Sequence, residues 1–234
     1  TYRVYLSAKP RTVRFGLHHH LSSVVLMGWA LDKYSKGAVK MHTLIDLRGS
    51  IPAFISISDG RTHDSNILDD IDIVPRAIYT MDKAYVDFEV LARFDAEGTF
   101  FITRAKSNKK YETVSSNFNF DLSAVIVGDH IIRLIGYKSR KALPKELRLV
   151  ESIDPESGEV IQSLTNITDQ LELNALEIAN IYLHRWDIES FFKLIKQNLT
   201  VKHLLGCSEN AVNIHLWTAI IAYLLLARVK AIYK

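Results

Sequence analysis

The stretch from Ile181 to Leu199, I-Y-L-H-R-W-D-I-E-S-F-F-K-L-I-K-Q-N-L, limits the possible folds more than any other part of this chain. Ile181, Ile188, Phe191, Phe192 and Ile195 recur at helical spacing, so the segment reads as an amphipathic helix laid against a core. Tyr182, Arg185, Glu189 and Lys196 stand at offsets of three, seven and fourteen from the first. At about 100° per residue, these offsets gather all four within a sector of roughly 60°. One face therefore carries a phenol, two cations and a carboxylate. Two readings follow. Arg185 and Glu189 form an i, i+4 ion pair on an ordinary helix, or a glutamate flanked by cations binds a divalent metal beside a phosphate backbone.

The rest of the chain supplies the partners for such a helix. Ala38 to Leu47 is rich in β-formers, Leu47-Arg-Gly-Ser50 is a turn signal, and Ile51 to Ser58 alternates as a returning strand until Asp59-Gly60. A third strand precedes this pair. Asp64 to Asp72 reads as a short helix closed by Pro75. Ala77 to Met81 is an apolar run of strand length ending at Asp82, followed by helical spacing from Lys83 to Phe94 and a further strand, Thr99 to Thr103. A carboxylate at the C-terminal end of a strand lies at the crevice where open α/β sheets place ligands. Its alternative role is to cap the helix that follows. Beyond Arg104, Ala124 to Val127 and Ile131 to Gly136 read as a hairpin around Gly128-Asp129, and Leu147 to Ser152 with Val160 to Ile167 as a second around Asp154 to Gly158. Lys106, Lys109, Lys110, Lys138, Arg140, Lys141 and Lys145 in this region each read singly as solvated surface charges, while their clustering near the proposed site raises the expectation of phosphate contacts.

A net charge of +3 permits nucleic-acid binding without establishing it. A lone cysteine, Cys207, excludes an internal disulfide framework, fits a reducing compartment, and reads as a small residue near a helix start. No N-terminal signal peptide is visible. Leu216 to Ala227 is apolar but shorter than the roughly 20 residues a membrane span needs, so it reads as a buried helix. Trp186 and Trp217 read as core aromatics. His18, His19 and His20 cannot readily share one metal ion, since neighbours on a strand point to opposite faces.

The spacing Tyr182, Arg185, Glu189, Lys196 resembles the Y-R-E-K signature of insertion-sequence transposases of the IS-four group, whose site is an Asp-Asp-Glu triad. Gly37 to Pro52 (G-A-V-K-M-H-T-L-I-D-L-R-G-S-I-P), Tyr79 to Phe88 (Y-T-M-D-K-A-Y-V-D-F), Phe100 to Asn108 (F-F-I-T-R-A-K-S-N) and Ser208 to Val212 (S-E-N-A-V) resemble that family too, in its order. The resemblance runs from about Trp29 to the C-terminus. It implies an α/β fold, an RNase H-like mixed sheet flanked by helices with a β-rich insertion before the glutamate helix. The expected divisions are 1–105 for the first part of the core, 106–172 for the insertion and 173–234 for the C-terminal helical part. It implies cleavage of DNA at insertion-sequence ends and strand transfer, with two Mg²⁺ ions as cofactor and Mn²⁺ able to substitute. Asp82 and Glu189 take the catalytic and metal-binding positions, and Tyr182, Arg185 and Lys196 the DNA-binding ones. The implied partners are double-stranded DNA, as inverted-repeat ends and target, and a second copy in the DNA complex. The implied location is the bacterial cytoplasm, on the nucleoid when DNA-bound, with no membrane.

The first aspartate is where the chain departs from the family. The family's Asp-Ser-Thr segment, at the end of the first strand, falls on Gly16-Leu-His-His-His when counted back from Trp29, and Asp46 is the nearest substitute. With permitted choices at the free bases, a frame shifted by one nucleotide can turn these codons into Asp-Ser-Thr. A defective copy is expected on these grounds, and a truncated one because the family carries an N-terminal DNA-binding region that nothing before Tyr2 could supply and the chain stops early at Lys234. The alternatives are a non-catalytic DNA-binding remnant and an RNase H-like nuclease without strand transfer.

Overall fold

The computed structural model describes residues 3–7, 11–14, 38–59, 61–62, 64–105, 110–117, 125–198, 206 and 208–233. Its strands are β1 (Arg3–Ser7), β2 (Arg11–Arg14), β3 (Ala38–Asp46), β4 (Ile51–Asp59), β5 (Ala77–Met81), β6 (Phe100–Arg104), β7 (Tyr111–Ser116), β8 (Ile126–Leu134), β9 (Glu146–Ile153) and β10 (Val160–Thr165). Its α-helices are α1 (Phe88–Ala96), α2 (Tyr137–Ala142), α3 (Ala175–Leu183), α4 (Trp186–Asn198) and α5 (Glu209–Ile232), with 3₁₀ turns at Asp64–Asp70 and Lys83–Tyr85.

All ten strands join one mixed sheet. β4, β3, β1, β5 and β6 lie side by side, antiparallel as far as β1 and parallel from β1 to β6. This is the RNase H-like order, with helices on both faces. β2 runs along the same edge of β3 as β1 does, opposite Ala38 to Met41. The expected β-rich segment continues the same sheet, since β10 pairs antiparallel with β6 and is followed across the sheet by β9, β8 and β7.

Alternation along β5 sorts the core into two faces. Ala77, Tyr79 and Met81 pack with Phe88, Leu91 and Phe94 of α1 and with Leu143 just after α2, whereas Ile78 packs with Ile178, Ala179 and Tyr182 of α3. On that second face, Ile188, Phe191, Phe192 and Ile195 of α4 meet Val39, Met41 and Ile45 of β3 and Val212, Leu216 and Ala219 of α5. Each such buried side chain contributes about 1.5–3 kcal/mol, which holds α4 on the sheet.

Several expectations change. The helix read from Ile181 to Leu199 is broken: α3 ends at Leu183, His184 and Arg185 form a tight turn with the Arg185 N–H bonded to the Tyr182 carbonyl, and α4 begins at Trp186. No proline or glycine causes this. α3 packs over β6 and β10, α4 over β3, and the chain bends as it passes from one part of the twisted sheet to the other. The segment from Lys83 is likewise two pieces, because Asp87 caps α1 by accepting from the Glu89 N–H. β8 runs straight through Gly128-Asp129, where a hairpin turn was expected, because Asp129 turns its carboxylate inward to Arg148. Trp186 and Trp217 are each 44% exposed rather than core residues. α5 is buried on one face only; Leu225 and Leu226 are exposed, and by length and composition the helix could cross a membrane.

Four of the basic residues, Lys138, Arg140, Lys141 and Lys145, are also elsewhere than expected. Lys138, Arg140 and Lys141 ride on α2, which packs with α1 on the face opposite α3 and α4. Lys145 donates to Asp95 at 2.6 Å. The histidine run, Lys106, Lys109, Gly16 and Cys207 lie outside the described residues.

Candidate functional site

Every residue of β5 is buried, and the strand has parallel neighbours on both sides, so the peptide after Met81 emerges at the C-terminal edge of the sheet. Asp82 stands there. Its carboxylate lies 3.7 Å from Nη1 of Arg185, and the same nitrogen donates to Oε1 of Glu189 at 3.2 Å. The Asp82 and Glu189 oxygens are therefore no more than about 7 Å apart, within the span of ions that sit about 4 Å from one another. A strand end and a helix start, far apart in sequence, bring two carboxylates to one guanidinium.

The break between α3 and α4 builds this arrangement. Arg185 occupies the turn itself and Glu189 the first turn of α4, one helical turn on. Arg185 is only 9% exposed. Its guanidinium carbon sits 4.6 Å from the Trp186 ring centre and 5.8 Å from that of Tyr182. Its buried Nε has no hydrogen-bond partner among the described residues. Burial pushes the Tyr182 phenol above the usual tyrosine range; the positive charges of Arg185 and Arg104 oppose this and the negative charge of Asp82 adds to it. Tyr182 is held by its own helix, whose start is fixed by a reciprocal capping box between Asn174 and Glu177. Lys196 belongs to α4, two turns beyond Glu189, and its side chain lies outside what is described.

The profile of the family described as Transposase DDE domain matches residues 14–225. This chain belongs to the DDE transposase family. Over 204 residues it is 32% identical to a putative transposase of Sinorhizobium fredii, covering 86% of this chain and 56% of the relative. It is 32% identical over 199 residues to a probable transposase for insertion sequence element IS5377 of Geobacillus stearothermophilus, covering 85% and 51%. It is 31% identical over 193 residues to a putative transposase for insertion sequence element IS4SA of Synechocystis sp., covering 80% and 52%. The chain spans about half the length of the curated relatives it matches.

In this DDE transposase chain the sheet register brings up a residue that the sequence reading passed over. Met81 of β5 pairs with Thr103 of β6, so Arg104 comes level with Asp82 at the same edge. The signal was available: Phe100 to Arg104 is an apolar run ending in a charged residue, just as Ala77 to Asp82 is. Asp46 does not join the cluster. It is level with Tyr5 and hence with Tyr79, and Arg48 binds it at 2.7 Å. That puts it two strands away and three residues back from Asp82, roughly 10 Å in each direction.

The donors fit a divalent cation in kind but not in number. Two carboxylates present the oxygens a hard cation prefers, yet no group of three or more His, Cys, Asp or Glu able to hold a metal occurs among the described residues. β1 pairs with β5 as far as Ser7, opposite Met81. No aspartate or glutamate occurs before Asp32. Among the described residues, Asp82 and Glu189 are the two carboxylates placed to hold one ion between them.

Proposed function

We propose that this chain is the core of an insertion-sequence transposase that binds double-stranded DNA at the Asp82–Glu189 edge of its sheet and lacks most of its cleavage activity. The observation that carries this reading is the single Arg185 nitrogen shared by a strand-end carboxylate and a helix carboxylate. In this reading Asp82 and Glu189 are the catalytic and metal-binding carboxylates. Arg185 and Lys196 hold phosphates next to the scissile bond, Arg185 as a planar fork and Lys196 as a point charge. The Tyr182 hydroxyl, kept neutral by burial, donates a hydrogen bond to a phosphate oxygen. Arg104, level with Asp82, adds a cation on the other side of the crevice. Bound Mg²⁺, or Mn²⁺ in its place, would be held by Asp82 and Glu189 and would polarise the phosphodiester; with two carboxylates instead of three to hold it, cleavage would fall close to nil. Two copies would hold two inverted-repeat ends for transfer into target DNA.

DNA binding tests the assignment. Affinity for duplex DNA should fall steeply with salt, and Arg185→Ala or Lys196→Ala should each flatten the slope of log affinity against log salt by about one. An unchanged slope in both variants removes this helix from the DNA interface. A second reading, a DNA-binding remnant with no chemistry, is favoured by the strand beside β5, R-V-Y-L-S, which carries no acidic residue. Metal-dependent nicking of a DNA end separates the two. Joining of that end to target DNA separates a transposase from an RNase H-like nuclease.

A further inference from the structure

Two buried arginines in this protein meet carboxylates in contrasting ways. Arg148 forms a complete fork on Asp129, with Nε and Nη2 each at 2.8 Å from a different oxygen, while its Nη1 donates to the Leu173 carbonyl at 2.7 Å. Every edge of that guanidinium is used, and both side chains are 1% exposed. Arg185 has no such fit with its carboxylates, although it is also hydrogen-bonded to the Tyr182 phenol. A single nitrogen serves Asp82 and Glu189, at 3.7 and 3.2 Å, and its equally buried Nε has no acceptor among the described residues. Burying a donor without an acceptor is unfavourable, so this position suits a guanidinium that is to be given up.

The position is also the one a cation would take. An ion linking the two carboxylates must stand about 2.0–2.6 Å from their oxygens, and Nη1 of Arg185 already stands within 3.7 Å of an oxygen of each. Space and like charge prevent both from being there together. A phosphate, by contrast, offers a guanidinium two parallel hydrogen bonds, which would satisfy the donors that the carboxylates leave loose.

We propose that Arg185 is an exchangeable counter-ion: without DNA its guanidinium occupies the cation position between Asp82 and Glu189, and a DNA phosphate draws it away and opens that position to a divalent ion. Metal and DNA then bind with positive coupling, and each raises the affinity for the other by the same factor. The part of this that involves DNA rests on the function proposed above. The competition between Arg185 and the cation does not.

The test is Mn²⁺ binding to the full chain, read from the electron paramagnetic resonance of free Mn²⁺, with circular dichroism confirming the fold of each variant. Without DNA, Arg185→Gln should bind Mn²⁺ about tenfold or more tightly than the wild type, the scale on which a neighbouring unit charge alters a carboxylate's affinity for a cation. Arg185→Lys, which keeps the charge, should stay closer to the wild type. Adding Asp82→Asn to Arg185→Gln should abolish the gain. A short duplex of arbitrary sequence should then tighten Mn²⁺ binding in the wild type but not in Arg185→Gln, after subtracting the signal from an Asp82→Asn, Glu189→Gln chain with the same DNA. Equal Mn²⁺ affinity in wild type and Arg185→Gln without DNA overturns the proposal, as does a gain that survives Asp82→Asn. If Arg185→Gln does not fold, the wild type decides: duplex-dependent tightening supports the exchange and its absence overturns it. A chain that never binds the duplex overturns the proposed function, and the comparison without DNA then decides this inference alone.

Discussion

Asp129→Ala should destabilise this protein far more than an average substitution. Asp129 accepts from Arg148 through both oxygens at 2.8 Å and from Asn117 Nδ2 at 3.1 Å. Removing the aspartate leaves the Arg148 charge in a site that water does not reach. Breaking a buried pair in this way costs about 3–5 kcal/mol, mostly because the remaining charge is uncompensated. For a chain of this size, 1 kcal/mol lowers the melting temperature by about 2–4 °C, so a drop of roughly 10 °C is expected. Urea unfolding followed by circular dichroism should show the midpoint falling with the slope unchanged. The double variant Asp129→Leu, Arg148→Met should recover most of the loss, since replacing both charges by apolar groups of similar volume removes the unpaired charge. A loss below about 1 kcal/mol in Asp129→Ala, or a double variant no better than the single, would refute the reasoning. The pair matters beyond the insertion. Arg148 also holds the Leu173 carbonyl, immediately before the Asn174 cap of α3, and α3 carries Tyr182.

Asn174→Ala, which breaks the capping box at the start of α3, should cost about 1 kcal/mol of stability in the same urea assay. Tyr182 gives a pH prediction: its folded pKa is raised by burial, so above pH 10.0, where the unfolded side chain ionises, the native state keeps more protons and stability falls as pH rises. Tyr182→Phe should flatten that alkaline decline, and equal declines in the two proteins would show that the phenol is not held neutral.

Turn chemistry and strand patterns made much of the fold legible. The Leu47 to Ser50 turn and the Asp154 to Gly158 turn each join the strands expected of them, and the apolar run before Asp82 is the buried strand it resembled. What the sequence hid depends on partners that are distant in the chain. Gly128-Asp129 has the chemistry of a turn, and only Arg148, nineteen residues on, makes it the middle of a strand. The bend at His184-Arg185 carries no local breaker; it follows from which parts of the sheet α3 and α4 cover. Helical spacing still placed Tyr182 near Arg185, because the turn between the helices stays tight. It could not reveal Arg104, whose place beside Asp82 is a matter of sheet register. Nor could it tell that α5 packs against α4 along one face only, leaving Trp217 exposed.

The strand beside β5 ties the register to the gene. The slot next to β5 is filled by Arg3–Ser7, R-V-Y-L-S, which has no acidic residue to set beside Asp82. A strand that supplied one there would be apolar and end in aspartate. The codons from Thr12 to His20, read one nucleotide later, can spell such a strand. Gly is GGN, Leu can be CTN and His is CAY, so Gly16 to His20 with a C-initial Leu21 codon become GNC, TNC, AYC, AYC and AYC, which can encode Asp-Ser-Thr-Thr-Ile. Upstream, Val13 with a CGN codon for Arg14 gives TNC, Arg14 gives GNT and Phe15 gives TYG, which can encode Phe-Val-Leu. Restoring this frame over the whole segment should therefore provide the strand together with its carboxylate, and should raise metal-dependent nicking of a DNA end well above that of the chain as it stands. Gly16→Asp alone should raise it little, since the residues around it would still lack the apolar pattern that seats a strand between β3 and β5. Sequencing the gene decides first: if the frame one nucleotide on has no Asp codon across Gly16 and Leu17, no frameshift removed the aspartate.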